Sequence, residues 1–279
     1  MVTASGAGRA TRLRNNGWGK AMKNLLIAIA ALAPAWSAAA AQDSDDYRVR
    51  IGLGAQMRPE FIGADDMEAA PLWDIDVVRG TGPFRFEAPD DSFAIPLFSQ
   101  NGFTAGPAAN FESKRKESDV GAPVGKVKGT FEAGAFAQFQ ALESLRVRAE
   151  LRKGIGGHEG MVGSLGADQV WRDGDKYVFS IGPRLLFSND KYQRAYFGVT
   201  PEAALASGLP EYRPDGGLHA AALASGLSYQ FNNQFGLFGF ARYEHLIGDA
   251  ADSPIVGQLG SRNQWSGGLG LSYTFNLTR

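Results

Sequence analysis

Cysteine is absent from the 279 residues, which excludes disulfide frameworks, thiolate zinc sites and a cysteine nucleophile together. Charge of one sign is lacking too. With 28 Lys and Arg against 29 Asp and Glu, the net charge of −1 offers no cationic excess of the kind that neutralises a phosphate backbone, so no nucleic acid is expected as a partner. Histidine is scarce: His158, His219 and His245 form neither an HExxH motif nor a Cys/His ligand spacing. There is no GxSxG elbow either, and a serine–histidine hydrolase would have to recruit Ser225 or Ser228, the serines near His219. The expectation is a protein that is not an enzyme, with no catalytic, cofactor or metal site.

Long apolar runs are equally scarce. The one candidate, residues 25–35, is shorter than the ~20 residues that a helix needs to cross a bilayer. It follows Lys23 and precedes Ala39, Ala40 and Ala41, with acidic residues from Asp43 to Asp46, which is the anatomy of a signal peptide cleaved near Ala41. Residues 1–41 therefore read as an N-terminal extension plus signal peptide, with Met22 as an alternative start, and residues 42–279 as one domain. A chain without a spanning helix enters a membrane only as a closed barrel, because lipid offers no hydrogen bonds to an open strand.

What the sequence has in abundance fits that option: 36 Gly, 18 Phe and 8 Tyr, together with a period of two in segment after segment. In 47–58, Tyr47, Val49, Ile51, Leu53, Ala55 and Met57 alternate with Arg48, Arg50, Gln56 and Arg58. In 144–153, Leu145, Val147, Ala149 and Leu151 alternate with Arg146, Arg148, Glu150 and Arg152, a pattern that an amphipathic helix would scatter. Further strands are expected at 71–79, 102–112, 129–140, 160–171, 176–187, 217–231, 234–247 and 264–276, with two weaker ones at 83–88 and 91–98, where Pro83, Pro89 and Pro96 intrude.

The expected fold is an all-β, antiparallel transmembrane barrel of about twelve strands, with ten as the alternative. With the amino end periplasmic, connections near 79–83, 98–102, 140–144, 171–176 and 231–234 fall on one side and are short. Those near 59–70, 112–128, 188–216 and 248–263 fall outside and are long. Trp73, Trp171, Trp265, Tyr177, Tyr229, Tyr243 and Tyr273 are expected at the headgroup level. All three histidines fall toward the external rim, with His158 several strands from the other two.

The inward parity carries the candidate luminal charges: Arg48, Arg50, Arg58, Arg146, Arg148, Arg152, Arg184 and Arg242 against Asp74, Asp76, Glu112, Glu132, Glu150, Asp168 and Glu244. A small barrel either fills its lumen with such pairs or keeps a narrow aqueous path between them, and both remain open at this point. Outside, Pro201 to Ser207 reads as a helical turn begun by proline and closed by Gly208, within an ordered external loop. Asp65, Asp66, Glu68, Asp249 and Asp252 are solvated loop charges, with oxygen ligands that would suit cations bridging lipopolysaccharide.

Four segments, IGLGAQMRPEFIGADD (51–66), GHEGMVGSLGAD (157–168), YFGVTPEAALASGLPEY (196–212) and FARYEHLIGDAADSPIV (240–256), strongly resemble the MipA/OmpV family. The resemblance implies a protein of the outer membrane of a Gram-negative bacterium, in contact with lipid and lipopolysaccharide and inserted by the barrel assembly machinery. For one branch of the family it implies a scaffold that joins a lytic transglycosylase to a penicillin-binding protein. Other members imply adhesion or a porin-like role in permeability and antibiotic response. Family members tend to end on an aromatic residue, whereas here Asn276, Leu277, Thr278 and Arg279 follow Phe275.

Overall fold

The computed structural model describes residues 46–277, so the extension and signal peptide expected at 1–41 lie outside the described residues. Ten long strands dominate. They are β1 (Tyr47–Pro59), β2 (Met67–Arg79), β5 (Phe103–Glu112), β6 (Thr130–Leu142), β7 (Leu145–Gly156), β8 (Met161–Asp173), β9 (Tyr177–Ser188), β10 (Gly217–Gln230), β11 (Phe235–Leu246) and β12 (Asn263–Leu277). Two fragments, β3 (Phe93–Ala94) and β4 (Phe98–Gln100), complete the sheet.

Every pairing is antiparallel, and β1 also pairs with β12 over Tyr47↔Leu277 to Met57↔Gly267, so the first and last strands lie side by side within the curled sheet. The wall is continuous in the order β2-β1-β12-β11-β10-β9-β8-β7-β6-β5, with β3 and β4 both on the far edge of β5. Among the described residues no ladder joins β2 to β3 or β4, and this leaves a single seam in the barrel.

The period-two pattern sorts the side chains as expected. Leu53, Trp265 and Leu271 are 70%, 61% and 68% exposed, and Ile51, Leu151, Leu165, Leu185, Leu223 and Leu269 share that outer face. An apolar surface running round the whole wall far exceeds what a soluble monomer leaves in water, so lipid is its solvent. Aromatic rings flank it at both ends. Trp171 stacks on Phe179 and Phe235 packs against Tyr273 near the ends joined by short turns, while Tyr243 meets Trp265 at 4.5 Å near the other.

The interior is charged instead. Arg146, Asp168 and Glu132 are each at most 2% exposed. The apolar clusters lie in the long loops and the adjoining strand ends. Phe61, Val120, Val124, Val199, Leu209 and Ile255 form one cluster, and Tyr196, Phe197, Leu246, Ala250 and Val256 belong to the other.

These loops build a cap from five short helices: α1 (Glu117–Val120), α2 (Asp190–Phe197), α3 (Pro201–Ser207), α4 (Gly248–Asp252) and α5 (Pro254–Leu259). The proline-started turn expected at 201–207 is α3. Thr200 caps its amino end by accepting from the Ala203 N–H, and Gly208 ends it at φ +78°, a conformation that glycine adopts without a Cβ clash. Cross-ties hold the loops together: Arg115 Nη1 donates to the Tyr196 carbonyl at 2.6 Å, Ser253 Oγ to the Phe197 carbonyl at 2.7 Å, and Gln264 Nε2 to the Ala64 carbonyl at 2.9 Å.

The two proline-crowded segments depart from expectation. Residues 83–88 form no strand, and 91–98 supply only the fragments β3 and β4. Pro83 and Pro89 have no N–H for a ladder rung, and the chain from 80 to 92 leaves the wall and crosses the barrel interior. The connection between β2 and β5 is thus long, whereas 142–145, 173–177 and 230–235 at the same end are tight turns.

Candidate functional site

The luminal charges fall into tiers along the barrel. At the turn end Arg48 pairs with Asp175, which also accepts from Arg172 at 3.3 Å. One tier deeper, Arg50 reaches Asp74 at 3.2 Å and Asp76 at 2.8 Å. At mid-height Asp168 is shared by Arg146 and Arg184, at 2.6 Å from each, while Arg148 pairs with Glu150.

Towards the cap, Arg152 bridges Glu150 and Glu132, Arg242 holds Glu244 at 2.5 Å, and Glu132 also meets His158 Nε2 at 3.0 Å. Arg58 sits apart with Glu68 at 2.8 Å, near the loop end. Alternation along β7 explains the richest part of this array, because every second residue from Arg146 to Arg152 points inward.

Residues 80–92 run through the middle of these tiers. They meet β1, β7, β8, β9, β10 and β11. The Gly82 carbonyl accepts from Arg48 at 2.6 Å, and the Phe84 N–H donates to Asp175 Oδ1 at 3.0 Å. The Phe84 ring lies under the guanidinium groups of Arg48 and Arg50, at 4.5 and 4.8 Å, and Phe86 lies under Arg146 at 4.7 Å. Ala88 to Asp91 forms a turn closed by the Asp91 N–H on the Ala88 carbonyl at 3.0 Å, with Pro89 at its second position, where its fixed φ is favourable.

That turn delivers two adjacent carboxylates to the wall. Asp91 is gripped at both oxygens by Arg146, at 2.5 and 3.1 Å, and Asp90 by Arg184, at 3.0 and 2.9 Å. Ser92 then bonds Glu150 and Arg152. Small residues clear the way. A Cβ on Gly226 of β10 would lie 2.7 Å from Pro89 Cγ, and one on Gly166 of β8 would lie 2.6 Å from Arg184 Cδ. The segment, Asp90 and Asp91 above all, is the luminal element that period-two reading misses.

At the cap end the histidines are closer than their strands suggest. Tyr192 of α2 stands between His158 and His219, with ring centroids 4.9 and 5.4 Å away, because α2 descends over the barrel mouth. The serine beside His219 is Ser188, with Oγ 3.0 Å from Nδ1, whereas Ser225 bonds the Ala241 carbonyl and Ser228 lies 3.4 Å from Arg50. Ser188 and His219 are 6% and 1% exposed, and among the described residues no carboxylate is hydrogen-bonded to this histidine.

Burial pushes Arg115 down to about 10, against the pull of Tyr196 and Asp119. Burial, with Glu112 nearby, raises the Tyr192 and Tyr196 phenols. Among the described residues no group of three or more acidic or histidine side chains is placed to hold a metal ion.

No curated protein matches the chain. It is similar to several solved structures. One is an outer membrane channel from Pseudomonas putida F1, at 8% identity over 85% of this chain and 100% of that one, with a TM-score of 0.43. Another is the KdgM porin in complex with disordered oligogalacturonate, at 11% over 82% and 98%, with a TM-score of 0.34. A third is the N-terminal β-barrel domain of Pseudomonas aeruginosa OprF, at 14% over 63% and 98%, with a TM-score of 0.28. The model of the family described as MltA-interacting protein MipA matches residues 51–275, from β1 to β12, and the chain belongs to that family.

Proposed function

We propose that this protein is a closed barrel of the Gram-negative outer membrane that works as a non-enzymatic interaction platform for the wall machinery, and not by passing solute. The observation that carries the reading is the double closure of the lumen. Residues 80–92 cross its middle and are tied to Arg146 and Arg184, while the packed loops cover one end. A barrel closed in this way has its rims left for recognition, and the short turns at 142–145, 173–177 and 230–235 form the rim available to a periplasmic partner.

The family description names MltA as the interacting protein, and a lytic transglycosylase of that kind, with a penicillin-binding protein beside it, is the partner class that fits. Ser188 and His219 are buried, out of reach of a lipid substrate, which supports the non-enzymatic reading. The test is retention of MltA on the purified, folded barrel. Retention above a control barrel of similar size supports the reading, and equal retention on both removes it.

A porin-like channel is the second reading. It is favoured by one feature, namely that the obstruction is a loop and no part of the wall ladder. Discrete conductance of the unmodified barrel in planar bilayers would select it.

A further inference from the structure

Four arginines from three strands surround the turn at 88–91: Arg146 and Arg148 of β7, Arg184 of β9 and Arg242 of β11. We propose that this cradle is a binding site for a small polycarboxylate, and that the chain's own Asp90 and Asp91 occupy it in the ligand's place.

The grip is of the kind that recognises carboxylates. Arg146 and Arg184 each present a two-pronged fork to one carboxyl group, Arg148 Nε lies 3.5 Å from Asp91 Oδ1, and Arg242 Nε lies 3.9 Å from Asp90 Oδ2. Arg242 Nε has no hydrogen-bond partner, so the cradle holds a donor that Asp90 does not saturate.

The wall does not neutralise the cradle by itself. The four guanidinium groups have three wall carboxylates as direct partners: Asp168 shared by Arg146 and Arg184, Glu150 on Arg148, and Glu244 on Arg242. Emptying the cradle would therefore leave an unbalanced positive charge away from bulk water, a state that is strongly disfavoured. A second bearer of carboxylates avoids that state, because it replaces each charge-assisted hydrogen bond as the turn withdraws. A neutral solute cannot.

Withdrawal also breaks no strand. Residues 81–92 contribute no rung to any ladder, and Pro89 meets the wall at Gly226, a position without a side chain. The ligand chemistry is two or more carboxylates spaced as on neighbouring residues. Both a free polycarboxylic acid and an acidic peptide supply it.

The absence of cysteine makes the test clean. Full-length barrel in detergent carries a nitroxide on Arg85→Cys, an exposed position of the segment, and is titrated with tricarballylate, with triaspartate and with triglycine as the neutral control. Both acids, or one of them, should convert the restrained spectrum to a mobile one, while triglycine should not. A response to triaspartate alone assigns the peptide source, and a response to both assigns the shared chemistry.

By calorimetry, the Asp90→Asn/Asp91→Asn barrel should bind the acid at least about tenfold more tightly than the wild type, because the tethered competitor is gone. Arg184→Lys should weaken binding by about tenfold, since an ammonium cannot form the fork. If the double variant does not fold, Asp90→Asn alone carries the same expectation. Absence of binding by a folded Asp→Asn barrel at about 10 mM of either acid overturns the proposal. MltA retention is measured independently, so failure here is distinguishable from failure of the platform reading.

Discussion

Replacing Asp91 by Asn tests whether the seal inside the barrel is electrostatic. Asp91 makes two charge-assisted bonds to Arg146 and accepts from the Ala88 N–H at 2.9 Å. The asparagine oxygen still accepts from Ala88, so the turn persists and the change removes mainly charge. Breaking a buried ion pair from one side costs about 3–5 kcal/mol. Arg146 keeps Asp168 at 2.6 Å, which places this case at the lower end, about 3 kcal/mol. At about 1.4 kcal/mol per tenfold change, the displaced state gains roughly two powers of ten in population.

Ala88 is 4% exposed, so a cysteine there reports displacement in a chain that has no other cysteine. Its modification by a bulky maleimide should be slow in an otherwise wild-type barrel and about a hundredfold faster with Asp91→Asn, provided that closing outpaces labelling. Rates within about threefold of each other, in barrels that both show the folded heat-modifiable form, would refute the argument. The seal would then rest on the Phe84 and Phe86 contacts and not on the carboxylates.

Three further outcomes follow from the same geometry. Gly226→Val places a Cβ within 2.7 Å of Pro89 Cγ and 3.2 Å of Ser180 Oγ; overpacking of about 1–3 kcal/mol should speed labelling at position 88 by roughly tenfold or more, with Gly226→Ala intermediate. Leu53→Arg puts a cation on the lipid face near mid-strand and should lower stability by about 2–4 kcal/mol in urea unfolding from lipid vesicles, whereas Leu53→Phe should be close to neutral. Arg115→Gln loses the bond to the Tyr196 carbonyl, about 1.5–3 kcal/mol for a charged donor, and should speed chymotryptic cleavage in 189–216 while the wall stays resistant.

Most of the wall is legible in the sequence because a barrel in lipid enforces alternation along its strands. Arg146 to Arg152 and Ile51 to Met57 each have one solvent on one side and another on the other, so a single period settles which way each residue faces. Strand ends follow from the same contrast, and the predicted 144–153 and 264–276 lie within a few residues of β7 and β12. The cap helix α3 is legible for a different reason: Thr200, Pro201 and Gly208 are local signals that act without tertiary partners.

Residues 80–92 escape that reading because they answer to neither solvent pattern. Their phenylalanines face arginines and their aspartates face arginines, so apolar and acidic residues share one environment and no period appears. The prolines say only that the segment is a poor strand. What places it inside is long-range: Asp90 and Asp91 find Arg184 and Arg146, which lie 94 and 55 positions away.

His158 and His219 are illegible in the same way, since a helix from a third segment brings them to one tyrosine. The arginines are visible in the sequence as charge, yet the excess of Arg146, Arg148, Arg184 and Arg242 over Asp168, Glu150 and Glu244 becomes meaningful only once the fold brings those four together. Four guanidinium groups that share three wall carboxylates favour an acidic occupant, and in this protein the occupant is a turn of its own chain.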